Sequence, residues 1–154
     1  MAATRKLMAV QGAALLFGSA FLIIGVLGFI PGATTHHELL QWAGHRLDAK
    51  LFGVFAVSGL LNVLHLAVGA AGLVMARSYA MARAYFLAGG AVYLALWAYG
   101  FFVNNGSQAN VVGMNDADNW LHFGLGLGML LLAVTLAGQH DPTKRPKRRA
   151  KVRA

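Results

Sequence analysis

Two short polar motifs interrupt otherwise apolar sequence. Asn62 and His65 stand three residues apart, with Gly69 a turn further on, and Asn119, His122 and Gly126 repeat the arrangement. Residues three apart share one face of a helix, so each motif lays an amide, an imidazole and a small residue along a single stripe. Three chemistries follow from such a stripe. Asn and His can hydrogen-bond between helices at membrane depth while Gly lets the backbones approach, which is the expectation we adopt. A His65–His122 pair can offer two axial imidazoles to a b-type haem, with Gly69, Gly72, Gly124, Gly126 and Gly128 leaving room for the ring. Polar groups inside a membrane can also line a proton or ion path, here with Asp116 and Asp118 as an acidic mouth.

A second group, His36, His37, Glu38, His45 and Asp48, lies between apolar stretches. Adjacent His36 and His37 point about 100° apart on a helix and cannot clamp one metal by themselves. A solvated interfacial loop is the expectation, with no metal site. The chain has no Cys, and no nucleophile elbow, phosphate loop, dinucleotide fingerprint or zinc-protease motif appears. Nothing in the sequence argues for an enzyme.

These motifs need elements to hold them, and composition says which. The chain has 154 residues, 58% of them apolar and 12% charged, with a mean hydropathy of +0.59. Soluble domains carry roughly 25% charged residues, so a water-facing surface cannot be built from this chain. The formal net charge of +8 is concentrated: Lys144, Arg145, Lys147, Arg148, Arg149, Lys151 and Arg153 hold seven of the 13 cations. The expectation is an all-α integral membrane four-helix bundle over residues 1–140 and a basic cytoplasmic tail over 141–154. That tail should touch anionic lipid rather than nucleic acid, because no aromatic is interleaved for base stacking.

Four long apolar stretches, at about 7–31, 51–76, 84–103 and 120–138, reach the roughly 18–20 residues needed to cross about 30 Å of hydrocarbon. The first exceeds the roughly 7–15 apolar residues of a signal peptide and reads as a retained span. Arg5 and Lys6 precede span 1, Arg77 and Arg83 separate spans 2 and 3, and the tail follows span 4. The loop from Asn104 to Asn119 has no Lys or Arg. The positive-inside rule therefore places both termini in the cytoplasm of a multi-pass plasma-membrane protein, against a mild dissent from Arg46 and Lys50. Thr35 and Glu38 match a capping box. They predict a short interfacial helix between spans 1 and 2, stopped at Gly44, with Trp42 at headgroup level beside Trp120.

The two polar motifs also belong to a longer self-similarity. Asn62, Leu64, His65 and Gly69 align with Asn119, Leu121, His122 and Gly126, and Leu73 and Ala76 with Leu130 and Ala133. Setting Gly28 on Gly100 brings Leu15, Gly18, Leu22 and Phe29 onto Leu87, Gly90, Leu94 and Phe101. The chain reads as a parallel duplicated two-helix hairpin. Repeat mates should then share a depth, yet His65 falls deep in span 2 while His122 opens span 4. Equal depth requires span 2 to project outward or span 4 to begin near Asp116.

The stretch Asn62–Gly69, the run Asp118-Asn-Trp-Leu-His122 and the span ending Gly25-Val-Leu-Gly-Phe-Ile-Pro31 resemble a bacterial membrane family, domain of unknown function 4383. The resemblance covers roughly residues 8–138. It implies a four-span plasma-membrane protein of a kind common in actinobacteria, and no known activity. A His often precedes the first Asn of that pattern, and Leu61 stands there in this chain. The functional expectation is a non-enzymatic packing or assembly partner in the membrane, acting with another membrane protein or a second copy. A haem-binding electron-transfer subunit and a small oligomeric permease are the alternatives.

Overall fold

The computed structural model describes residues 7–46 and 48–136. The basic tail and Arg5 and Lys6 lie outside the described residues. Four helices dominate: α1 (Ala9–Leu27), α2 (Gly59–Met75), α3 (Tyr79–Phe102) and α4 (Asp116–Thr135). Three of them, α1, α3 and α4, are long and apolar enough to cross a membrane, and α2 is a shorter apolar helix of 17 residues. The chain is thus mostly helical and multi-pass by the length and composition of its helices. The helices pack mainly as two hairpins, α1 on α2 and α3 on α4, joined through α3.

Helices α2, α3 and α4 each start where a side chain accepts an orphan backbone N–H. Ser58 Oγ accepts from Leu61 N at 3.1 Å, Ser78 Oγ from Met81 N at 3.3 Å, and Asn115 Oδ1 from Asp118 N at 3.0 Å. These caps move three expected boundaries. Helix α3 begins at Tyr79 rather than 84 and carries Arg83 within it, where its Nε donates to Ala133 O. Helix α4 begins at Asp116 rather than 120, and α2 begins at Gly59 rather than 51.

The residues ahead of α2 form a small antiparallel sheet, β1 (Thr34–Thr35), β2 (Lys50–Leu51) and β3 (Phe55–Ala56), in that spatial order. Thr34 pairs with Leu51, and Leu51 in turn with Phe55. The expected interfacial α-helix is not there, and only a 3-10 turn spans His37–Leu39. The reason lies in the two threonines. Thr34 Oγ1 donates to Leu27 O and Gly28 O, closing the end of α1, and Thr35 Oγ1 donates to Lys50 O. These bonds turn both side chains toward other segments, away from the N–H groups that a cap would accept, and β-branched residues favour the strand. Trp42 and Trp120 are both exposed, as are Phe101 and Phe102, forming an aromatic collar at this end of the molecule.

The sheet and the loop after α3 interlock into a cap. Gly44 N donates to Val111 O, Ser58 Oγ to Val112 O, and Asn115 Nδ2 to Val54 O. Buried Asn110 organises the second loop: its Nδ2 donates to Asn105 O and Met114 O, and its Oδ1 accepts from Gly113 N and Met114 N.

Matching contacts occur in both hairpins. A Cβ on Gly28 would overlap the Asn62 amide, and a Cβ on Gly100 would overlap that of Asn119. One on Gly18 would lie 2.9 Å from Gly69 O, and one on Gly90 3.0 Å from Gly126 O. Backbones this close tolerate only glycine.

Candidate functional site

The capping residues set the register of the polar stripes. His65 is the seventh residue of α2 and His122 the seventh of α4. The unequal depth expected from the apolar runs disappears once α2 starts at Gly59 and α4 at Asp116. The two imidazoles meet with centroids 6.4 Å apart. Phe21 of α1 and Tyr93 of α3 stack beside them at 5.1 Å and 15°. Tyr93 lies 5.4 Å from His122 and 6.1 Å from His65, and Phe21 lies 5.9 Å from His65. Each helix therefore gives one ring to a central cluster.

On the side of this cluster away from the cap the bundle is packed with apolar side chains, among them Val10, Ala14, Phe86 and Met129. On the cap side lies a cavity of about 170 Å³. Its surface is mostly apolar, and the polar residues that line it are Asn62, His65, Asp118 and His122. Leu61, Leu121 and Ile24 complete the sides, and the segment from Leu51 to Val57 supplies the roof. At roughly 30 Å³ per molecule the space equals about five or six waters.

The hydrogen bonds of these residues are incomplete. His65 Nδ1 donates to Leu61 O at 2.8 Å, within its own helix, which leaves Nε2 as an acceptor. Asp118 Oδ2 accepts from Asn115 N at 2.9 Å and from Ala56 N at 3.1 Å, so this carboxylate pins the roof strand to α4. Asn62 Nδ2, Asn119 Oδ1, His122 Nδ1 and the hydroxyls of Tyr85 and Tyr93 are buried without a partner. An unmet buried polar atom costs about 1–3 kcal/mol. Two of these atoms, Asn62 Nδ2 and His122 Nδ1, belong to residues that line the cavity.

The structure brings together Asn62, His65 and His122, and adds Asp118, Tyr93 and Phe21. Asn119 packs instead against Gly100, away from the cavity wall. Asp116 stays apart, exposed and bound by Asn105 Nδ2 at 2.8 Å. The histidines of the 1–2 loop also disperse: His36 faces Glu38 at 3.7 Å, and His37 Nε2 donates to Phe29 O. No group of three metal-ligating side chains forms among the described residues. Sequence reasoning missed Phe21 and Tyr93, although the alignment of Gly28 on Gly100 also superposes these two aromatics.

No curated protein and no solved structure matches the chain. Residues 11–135 match the family profile described as a domain of unknown function, DUF4383. That stretch contains all four helices apart from the first two residues of α1, as well as both polar stripes and the cap. The chain belongs to the DUF4383 family.

Proposed function

We propose that the protein is a non-enzymatic plasma-membrane protein that holds a small guest in the cavity between α2, α4 and the cap. One observation carries this reading. Buried Asn62, His65, Asp118 and His122 line one cavity, where Asn62 Nδ2 and His122 Nδ1 have no partner and the bond His65 makes stays inside its own helix. Interhelical glue would spend these groups on one another; a guest would use them.

The frame of the proposal is a duplicated hairpin with four spans and both termini cytoplasmic. The recurring Gly28–Asn62 and Gly100–Asn119 contacts support the duplication, and so does the shared position of the two histidines. At about 1.5 Å per residue, the 17 residues of α2 cover most of the hydrocarbon, with the cap completing the outer end. The charge of Arg77 and Arg83, at the end away from the loop without Lys or Arg, supports the orientation.

The geometry argues against the two alternatives. A site of about 170 Å³ falls below the roughly 300 Å³ of small cofactor sites, and Tyr93 occupies the space beside both imidazoles where a porphyrin would lie. A permeation path would need to continue inward, where Phe17, Phe21 and Phe86 pack edge to face. The assembly-partner reading draws on the exposed apolar faces of the helices, which lipid covers equally well.

Native mass spectrometry tests the proposal. Protein released from its own membrane should carry one small non-covalent guest per chain, and Leu121→Phe, which fills the cavity, should lose it. A wild-type chain of bare mass under conditions that retain bound lipid would refute the reading.

A further inference from the structure

Asp118 is the acidic side chain in the cavity wall, and it is 2% exposed. Two backbone N–H groups share its Oδ2, and no Lys, Arg or His forms an ion pair with it among the described residues. A carboxylate removed from water is held at high cost until a cation or a proton joins it. His65 adds an acceptor, because its Nδ1 proton is already given to Leu61 O. His122, 1% exposed with Nδ1 unpartnered, faces the same space.

The roof is a second, independent observation. Phe52, within a tight turn, and Phe55, just after it, both line the cavity. Phe52 has φ of 51° and Gly53 φ of 72°, the two left-handed residues of a turn that normally takes Asn or Asp followed by Gly. A bulky aromatic there is strained, and such strain persists where the surroundings impose it, often at ligand clamps. It sets an aromatic ring at the cavity rim, where the negative face of an arene attracts cations.

We propose that the cavity binds a primary ammonium group, with Asp118 as its counter-ion, His65 Nε2 as a hydrogen-bond acceptor and Phe52 and Phe55 at its rim. This rests on the reading of the cavity as a guest site. The volume admits the amine end of a short alkyl chain and leaves the rest to pass beneath the roof. A primary ammonium reaches the outer face of a membrane as a free amine or as the headgroup of phosphatidylethanolamine, and the chemistry of recognition is the same.

The full chain in phosphatidylcholine nanodiscs, titrated with n-propylammonium and with n-propanol, decides the matter by calorimetry and by the imidazole NMR signals of His65 and His122. Propylammonium should bind saturably and shift both imidazoles, and propanol should not. Asp118→Asn keeps an oxygen for Ala56 N–H and should weaken propylammonium by at least about tenfold. Leu121→Phe keeps Asp118 and should abolish binding, which decides the question if the Asn variant fails to fold. In phosphatidylethanolamine nanodiscs, weaker apparent propylammonium binding identifies the lipid headgroup as the source, and unchanged binding a free amine; either supports the proposal. Equal binding of propanol would overturn the ammonium assignment while sparing the guest site. Saturable binding of neither probe would overturn both.

Discussion

His65 and His122 occupy the same position in their helices, seven residues beyond the caps Ser58 and Asn115, and their rings lie 6.4 Å apart. The equivalence follows from the caps rather than from the hydrophobic runs. It places two imidazoles at one level above the Phe21–Tyr93 stack, with packed apolar side chains below and a cavity above.

If the two hairpins are repeats, Gly28→Ala and Gly100→Ala should cost alike. Each methyl would collide with the asparagine amide opposite, Asn62 or Asn119. Overpacking of this kind costs about 1–3 kcal/mol. Pairing each with Asn→Ala at its own partner should recover part of the loss, and pairing it with the asparagine of the other hairpin should not. Thermal unfolding in detergent reads the comparison, and a large inequality between the two glycines would count against the duplication.

Asp118 joins the cap to α4, which gives a second expectation. Asp118→Ala removes the acceptor of both Ala56 N and Asn115 N. The buried Ala56 N–H is then unpaired, at about 1–3 kcal/mol, and the half-buried Asn115 N–H loses its partner as well. Asp118→Asn should retain most of the stability, because its amide oxygen can still accept. Backbone hydrogen exchange at Ala56 is the direct measurement, and unchanged protection in the alanine variant would show that the roof is held elsewhere.

The apolar runs at 7–31, 84–103 and 120–138 were legible as helices because they are long and uncharged, and the Asn–His stripes because they keep helical spacing. The run at 51–76 misled for a physical reason. Leu51, Phe52, Phe55 and Val57 are as apolar as a membrane span, yet they form the roof of the cavity. Hydropathy cannot separate the two, and only Gly53 and the cap Ser58 mark the break. Thr35 and Glu38 misled in the opposite sense: the threonine hydroxyl that looked like a cap is bonded across to Lys50 O. The cavity itself was invisible, because its wall joins Asp118 to a roof more than sixty residues away in sequence.

Orientation is testable because the chain has no cysteine of its own. Ser107→Cys, in the loop without Lys or Arg, should react with an impermeant thiol reagent on intact cells. Ser78→Cys, between Arg77 and Arg83, should react only after lysis. It gives up the α3 cap bond to Met81 N, a loss of about 1 kcal/mol that the bundle should tolerate. The reverse labelling pattern would invert the topology.

The basic tail should act on lipid and not on the fold. Deleting residues 144–153 removes seven cations and, besides them, only Pro146, Ala150 and Val152. Helicity and melting temperature should therefore stay the same. Binding of the full chain to vesicles containing phosphatidylglycerol should weaken in the truncated form, at about 1 kcal/mol for each cation near the surface. That contact should also fade as salt rises from 0.01 to 0.15 M, where the screening length falls from about 30 Å to about 8 Å. A truncated protein that melts earlier in neutral detergent would show that the tail packs on the helices.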